Sequence, residues 1–260
     1  MYIELLLIIS LLPVILIGSF IYKKDKNKEP ARLLAKLFIA GVVSTIVVLI
    51  LSGLSELIIP SFGKELEYQN SIERFLYAFV GIALIEESSK WIMVYFISFN
   101  HKEFDELYDM VIYAVFVALG FACIENLIYV LQGGISTGIL RAISAVPGHA
   151  CDGIFMGYYL AFAKLSEYNN NLKDKKKFMI LSLLVPVILH GIYDYCILSG
   201  YALLVIGFYV FVAFLYKYSL RRLNHIVITN RKFVYNNKYC TGCGEKIESE
   251  FCTKCGKRNE

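Results

Sequence analysis

The stretch Ile85-Glu86-Glu87-Ser88-Ser89-Lys90 puts three ionisable side chains in the middle of an apolar run from Phe75 to Phe99. A run of that length can cross a bilayer, which takes about 20 residues. A charge at mid-bilayer costs roughly 2.5–3.5 kcal/mol on insertion scales, and helix propensity does not repay it. Glu86 and Lys90 stand at i,i+4 and Glu87 and Lys90 at i,i+3, so one cation reaches either acid on one helix face. Pairing lowers the cost without explaining why the charges are there. A structural ion pair is the plain reading. Buried pairs contribute little net stability, so the stretch favours a functional one.

The rest of the chain is built to the same scale. It is 57% hydrophobic with a mean hydropathy of +0.58, too apolar for a soluble domain of 260 residues. The expected class is an all-α polytopic membrane protein of about seven spans. These are 2–22, 34–59, 74–99, 108–131, 139–165, 178–198 and a last one from beyond Gly200 to about 216. Pro30, Pro60 and the Gly133-Gly134 pair punctuate them. No basic region precedes the first run, so it reads as an uncleaved span.

Lysine and arginine placement sets the expected orientation. Lys23, Lys24, Lys26, Lys28 and Arg32 fill one loop, and Lys164, Lys173, Lys175, Lys176 and Lys177 another. The tail opens with Lys217, Arg221 and Arg222, while the alternate side holds Lys64, Arg74 and Arg141. The chain is therefore expected in the cell membrane with its N-terminus external and its C-terminus cytoplasmic.

Further polar residues interrupt later spans: Glu125 and Asn126, then His149 and Asp152, then His190 with Asp194 at i,i+4. A lone intramembrane histidine is most often a packing residue. Four spans carrying acids or histidines point instead to a shared cavity. At about 1.5 Å per residue from the external ends, Glu86 lies roughly 17 Å deep, His149 roughly 16 Å, His190 roughly 13 Å and Glu125 roughly 10 Å. The four are expected to meet. Asp109, at the opposite end of its span, reads as a helix N-terminal charge. Arg141, at an external end, reads as a snorkelling side chain.

Three chemistries suit such a cluster. A glutamate can activate water for hydrolysis while neutral donors hold the oxyanion. Histidine, glutamate and aspartate can bind zinc, which would activate water instead. Proton or ion transport uses the same residue types, although no internal repeat of the kind common in transporters is visible. Spacing alone does not choose among them.

The order Glu86-Glu87-x-x-Lys90, Phe121-x-x-x-Glu125-Asn126, His149, His190-x-x-x-Asp194 resembles the PrsW family of intramembrane proteases. That family looks related to the CAAX prenyl endopeptidases and bacteriocin-processing enzymes. The resemblance spans about 74–200 and implies an endopeptidase that cuts membrane-anchored proteins, such as an anti-sigma factor at an external site 1. By that analogy Glu86 activates water, Glu87 and Lys90 support it, and Glu125 with Asn126 forms the second motif. His149 joins them, and His190 with Asp194 binds or polarises the scissile carbonyl. No metal is expected to be required at this site. An ionised aspartate only accepts hydrogen bonds, so Asp194 either orients His190 or is protonated.

The tail carries Cys240-x-x-Cys243 and Cys252-x-x-Cys255, each pair followed by glycine. This is a four-cysteine zinc pattern, and two disulfides are the competing reading. The expected cytoplasmic placement favours a structural Zn²⁺ ribbon. The chain thus divides into a transmembrane protease domain at 1–220, a basic linker at 221–238 and a zinc ribbon at 239–260. The expected partners are the bilayer and a membrane-anchored substrate, with nucleic acid not expected.

Overall fold

In the computed structural model, which describes residues 2–230 and 254–255, the chain is a bundle of helices with no strand among the described residues. They are α1 (Tyr2–Lys24), α2 (Ala31–Ile58), the short α3 (Ser71–Leu76), a π-helical segment (Tyr77–Leu84), α4 (Ile85–Ser98), α5 (Leu107–Ile143), α6 (Ala145–Tyr168), α7 (Leu172–Leu198) and α8 (Ala202–Ile228). Among the described residues, five stretches are long and apolar enough to cross a membrane: Tyr2–Lys24, Ala31–Ile58, Leu107–Tyr168, Leu172–Leu198 and Ala202–Ile228. Leu49, Leu57, Phe96, Leu203 and Val210 are exposed on the outside, an apolar surface suited to lipid.

α5 is the axis. From Met110 to Val115 every side chain is buried, so this half is apolar all round and has neighbours on every side. α1, α2, α4 and α6 surround it. The approach to α2 is close because both faces lack a side chain there. A Cβ on Gly41 would lie 2.0 Å from the Val117 carbonyl oxygen, and one on Gly120 2.0 Å from that of Phe38. Small residues of this kind let membrane helices meet backbone to backbone.

Local chemistry sets the helix starts. Asn70 accepts from the backbone N–H groups of Ile72 and Glu73, and Glu73 returns the bond to Asn70, a capping box. Glu106 and Asp109 do the same for α5, which agrees with the helix-start reading of Asp109. Asn171 accepts from Asp174 N at the head of α7.

Three boundaries differ from the sequence expectation. The Glu-bearing run is not one α-helix: the π segment precedes α4, and wide turns of this kind occur often at functional sites. The turn at Gly133-Gly134 does form, with Gly134 at φ 73°, but residues 135–143 then fold back along α5 before α6 begins. Gly138 makes this possible, lying close to Val130 and to Ile9. Finally, α8 continues past 216 to Ile228, because Leu223 and Ile226 are fully buried against the core. The basic residues beside them hide that apolar pair in the sequence. Of the expected ribbon, Cys240, Cys243 and Cys252 lie outside the described residues.

Candidate active site

Four helices, α4 to α7, deliver the side chains of the cluster. The first turns of α4 carry Glu86, Glu87 and Lys90, all buried, with Glu87 at 0% and Lys90 at 1% exposure. Lys90 Nζ donates to Glu87 Oε1 at 2.7 Å and Glu86 Oε2 at 3.2 Å. It also lies 3.3 Å from His149 Nδ1 of α6 and 4.1 Å from the ring centroid of Phe121 on α5. An ammonium held over a ring face and between two carboxylates is stabilised from several directions at once.

His149 continues the chain of contacts, its Nε2 2.8 Å from Glu125 Oε2. His190 of α7 closes the other side. Its Nδ1 is 2.7 Å from Glu87 Oε1, and its Nε2 is 3.3 Å from Asp194 Oδ2 and 3.9 Å from Glu86 Oε2. The two imidazoles meet edge to face at 5.3 Å. Glu86, Glu87, Lys90, His149 and His190, all buried, and Asp194 and Glu125, half-buried, thus lie in one connected group.

Asn126 belongs to a different environment. Its Nδ2 donates to the Ser10 carbonyl of α1 at 3.0 Å, and its Oδ1 accepts from Arg141 Nε at 3.1 Å. It ties α5 to α1 and meets Glu125 through their shared partner Arg141.

Two participants have roles the sequence did not disclose. Arg141 does not snorkel: its Nη2 donates to Glu125 Oε2 at 2.7 Å. A straight helix would put Arg141 about 24 Å beyond Glu125; the turn at Gly134 brings it back. The glycine pair was the available signal. Asp152 of α6 is buried, with Oδ2 3.9 Å from His190 Nδ1, and its place beside His149 on the same helix was the only hint.

Three carboxylate oxygens here are buried without a hydrogen-bond partner: Glu87 Oε2, Asp152 Oδ1 and Asp194 Oδ2, whose 3.3 Å approach to His190 Nε2 lacks hydrogen-bond alignment. Orphaned acceptors in a low-dielectric interior are costly. All three border His190, so this is where a proton, a donor or a cation would be held. The donor set suits a divalent metal in kind, since ligand atoms of Glu86, Glu87, His149 and His190 lie within 4.8 Å of one another and zinc takes such ligands. Lys90 Nζ, however, already stands within hydrogen-bonding range of three of those four residues. Ammonium and metal would compete for the same oxygens.

Acids, imidazoles and one ammonium gathered inside a lipid-facing helical bundle define a multi-pass membrane protein with an acid–base site among its helices. Residues 29–218 match the family described as "PrsW family intramembrane metalloprotease". The chain is 36% identical over 220 residues to the Protease PrsW of Oceanobacillus iheyensis, covering 84% of this chain and 95% of that one. It is 33% identical over 211 residues to the Protease PrsW of Bacillus subtilis (81% and 90% covered). With the Protease PrsW of Clostridioides difficile it shares 30% over 238 residues (89% and 95%). No solved structure matches it. The chain belongs to the PrsW family of intramembrane proteases; it is a peptidase, and its substrates are anchored in the membrane.

Proposed function

We propose that Glu86 is the general base of this peptidase. Glu86 takes a proton from water, and the hydroxide attacks the scissile carbonyl carbon. The C–N bond then breaks as Glu86 returns the proton to the leaving nitrogen. Glu87 and Lys90 hold Glu86 in place, and His190 with Asp194 polarises the carbonyl oxygen. His149 and Glu125 brace Lys90 from the far side, and Asn126 orients Arg141 on Glu125. The observation that supports this most is the connected Glu86–Lys90–Glu87–His190 contact set beside three orphaned oxygens.

The same reading places seven spans in the cell membrane, N-terminus outside, in a domain that runs to the end of α8 at Ile228. A basic linker then leads to a cytoplasmic Zn²⁺ ribbon at 239–260, built on Cys240, Cys243, Cys252 and Cys255. The substrate class, by family analogy, is an anti-sigma factor cut at an external site 1.

A second reading rests on the donor set and on the family's description as metalloproteases. Here Glu86, Glu87, His149 and His190 would hold a divalent metal, which would act as a Lewis acid on water or carbonyl. One experiment separates the two. Glu86→Gln is assayed in proteoliposomes against a membrane-anchored substrate, with metal content measured on the same samples. The general-base reading expects a loss of about 10²–10⁴ in rate, unchanged thermal unfolding and no site metal in the wild type. Wild-type-like cleavage by Glu86→Gln removes Glu86 as base. One metal per chain in the wild type, beyond what a variant without 239–260 loses and absent from His149→Ala, establishes the metal reading.

A further inference from the structure

A second feature of α4 and α7 has no part in the site. On the outer face of the bundle, a groove of about 420 Å³ runs between them. Leu84 and Trp91 form one wall, and Met179, Leu183 and Val187 the other. Trp91 Nε1 donates to Ser182 Oγ at 2.8 Å across its floor. The inner end stops just short of the site: Leu84 is two residues before Glu86, and Val187 three before His190. Lys176 stands at the other end. Lys173, Lys176 and Lys177, all exposed, share a helix face by their i,i+3 and i,i+4 spacing.

We propose that this groove binds one acyl chain of an anionic phospholipid, with the lipid phosphate on Lys176. Two observations select this occupant. From Lys176 to Val187 the groove runs eleven residues of α7, about 16 Å. That matches one leaflet of a hydrocarbon core of about 30 Å and is half of what a substrate's transmembrane helix would need. The lining is apolar except at the end where headgroups lie, and there it is cationic, so a chain with a negative head is the complementary ligand. A bound chain abuts the helical turns that bring Glu87 within 2.7 Å of His190.

Trp91 is the chain's single tryptophan, so its fluorescence reports on the groove alone. The full chain is reconstituted in vesicles doped with either phosphatidylglycerol or phosphatidylcholine brominated on the acyl chains, at equal mole fraction. Brominated phosphatidylglycerol is expected to quench Trp91 at least two-fold more. That preference falls in Lys176→Gln and vanishes when Lys173 and Lys177 are also changed to Gln. Equal quenching by the two lipids in the wild type overturns the proposal, as does a preference that survives the triple substitution. Relief of quenching by a single-span polyleucine peptide would reassign the groove to a helix. The readout needs no proteolysis, so it is independent of Glu86 acting as base.

Discussion

Two groups of largely buried carboxylates meet α5, at Asp109 and at Glu125, about 24 Å apart along its axis, and they differ in what surrounds them. At the start of the helix are Asp25, Glu29, Glu106 and Asp109, all less than one-tenth exposed. Asp25 accepts from the backbone N–H of Asn27 and of Glu29, and Asp109 from those of Asp105 and Glu106. Glu106 takes the side-chain amides of Asn27 and Asn230, and Glu29 takes the Tyr113 hydroxyl. These partners are neutral donors, and no oxygen in this group is orphaned. Around Glu125, by contrast, the partners are an ammonium, a guanidinium and two imidazoles, and three oxygens remain unsatisfied. Burial of acids alone therefore does not mark a site. Saturated acceptors lock an α1–α2 connection, an α5 start and an α8 end together; unsaturated ones leave room for chemistry.

The contrast breaks most visibly at Lys90. Lys90→Met leaves Glu86 and Glu87 buried without their cation, and losing one partner of a buried pair costs about 3–5 kcal/mol. Unfolding in detergent should show that loss, and Glu87→Gln in the same chain should recover part of it. A Lys90→Met protein as stable as the wild type would mean that the two carboxylates do not depend on this ammonium.

Arg141→Gln should have a smaller effect. It removes the charge-assisted bond to Glu125 while a glutamine can still reach Asn126, and such bonds contribute about 1.5–3 kcal/mol. His149 stays on Glu125, so the carboxylate keeps one partner. An equal loss in Arg141→Gln and Lys90→Met would indicate that the guanidinium, and not the ammonium, carries this cluster.

How much of this the chain discloses follows from the same pair of regions. Helix runs are legible because lipid demands long apolar segments. The meeting of Glu86, His149, His190 and Glu125 is legible from residue type and depth, since few polar groups are tolerated at mid-bilayer. What escapes are facts that depend on a neighbour. Asn126 looks like Glu125's companion but turns to Ser10, because consecutive helical residues point about 100° apart. Arg141 at a span end defaults to snorkelling until the fold-back at Gly134 is known. The π segment leaves no period in the apolar run from Tyr77 to Leu84. Asp25, Glu29 and Glu106 read as ordinary loop charges until the α1–α2 connection docks on the start of α5, where Tyr113 meets Glu29 and Asn27 meets Glu106.

The finest test of the comparison is the pH response of the saturated group, read at Glu29, which lies in the connection between α1 and α2. Burial pushes the Glu29 carboxyl up to about 7, with Asp25 adding to the rise and the Tyr113 hydroxyl bond opposing it. The folded chain thus keeps a proton on Glu29 that the unfolded chain, near the usual glutamate value of about 4.3, has released. Between those two values the folded state binds more protons, so stability falls as pH rises, by at most about 1.4 kcal/mol per pH unit from this group. Below the unfolded value the contribution is fully present, and above about 7 it is gone. Glu29→Gln stays neutral at every pH and still accepts from Tyr113. Its unfolding midpoint should match the wild type near pH 4.5 and exceed it at pH 7.5, with the gap opening between. A gap that is the same at both pH values would show that Glu29 is ionised in the folded chain, and that this cluster, like the one around Glu125, is held by charge.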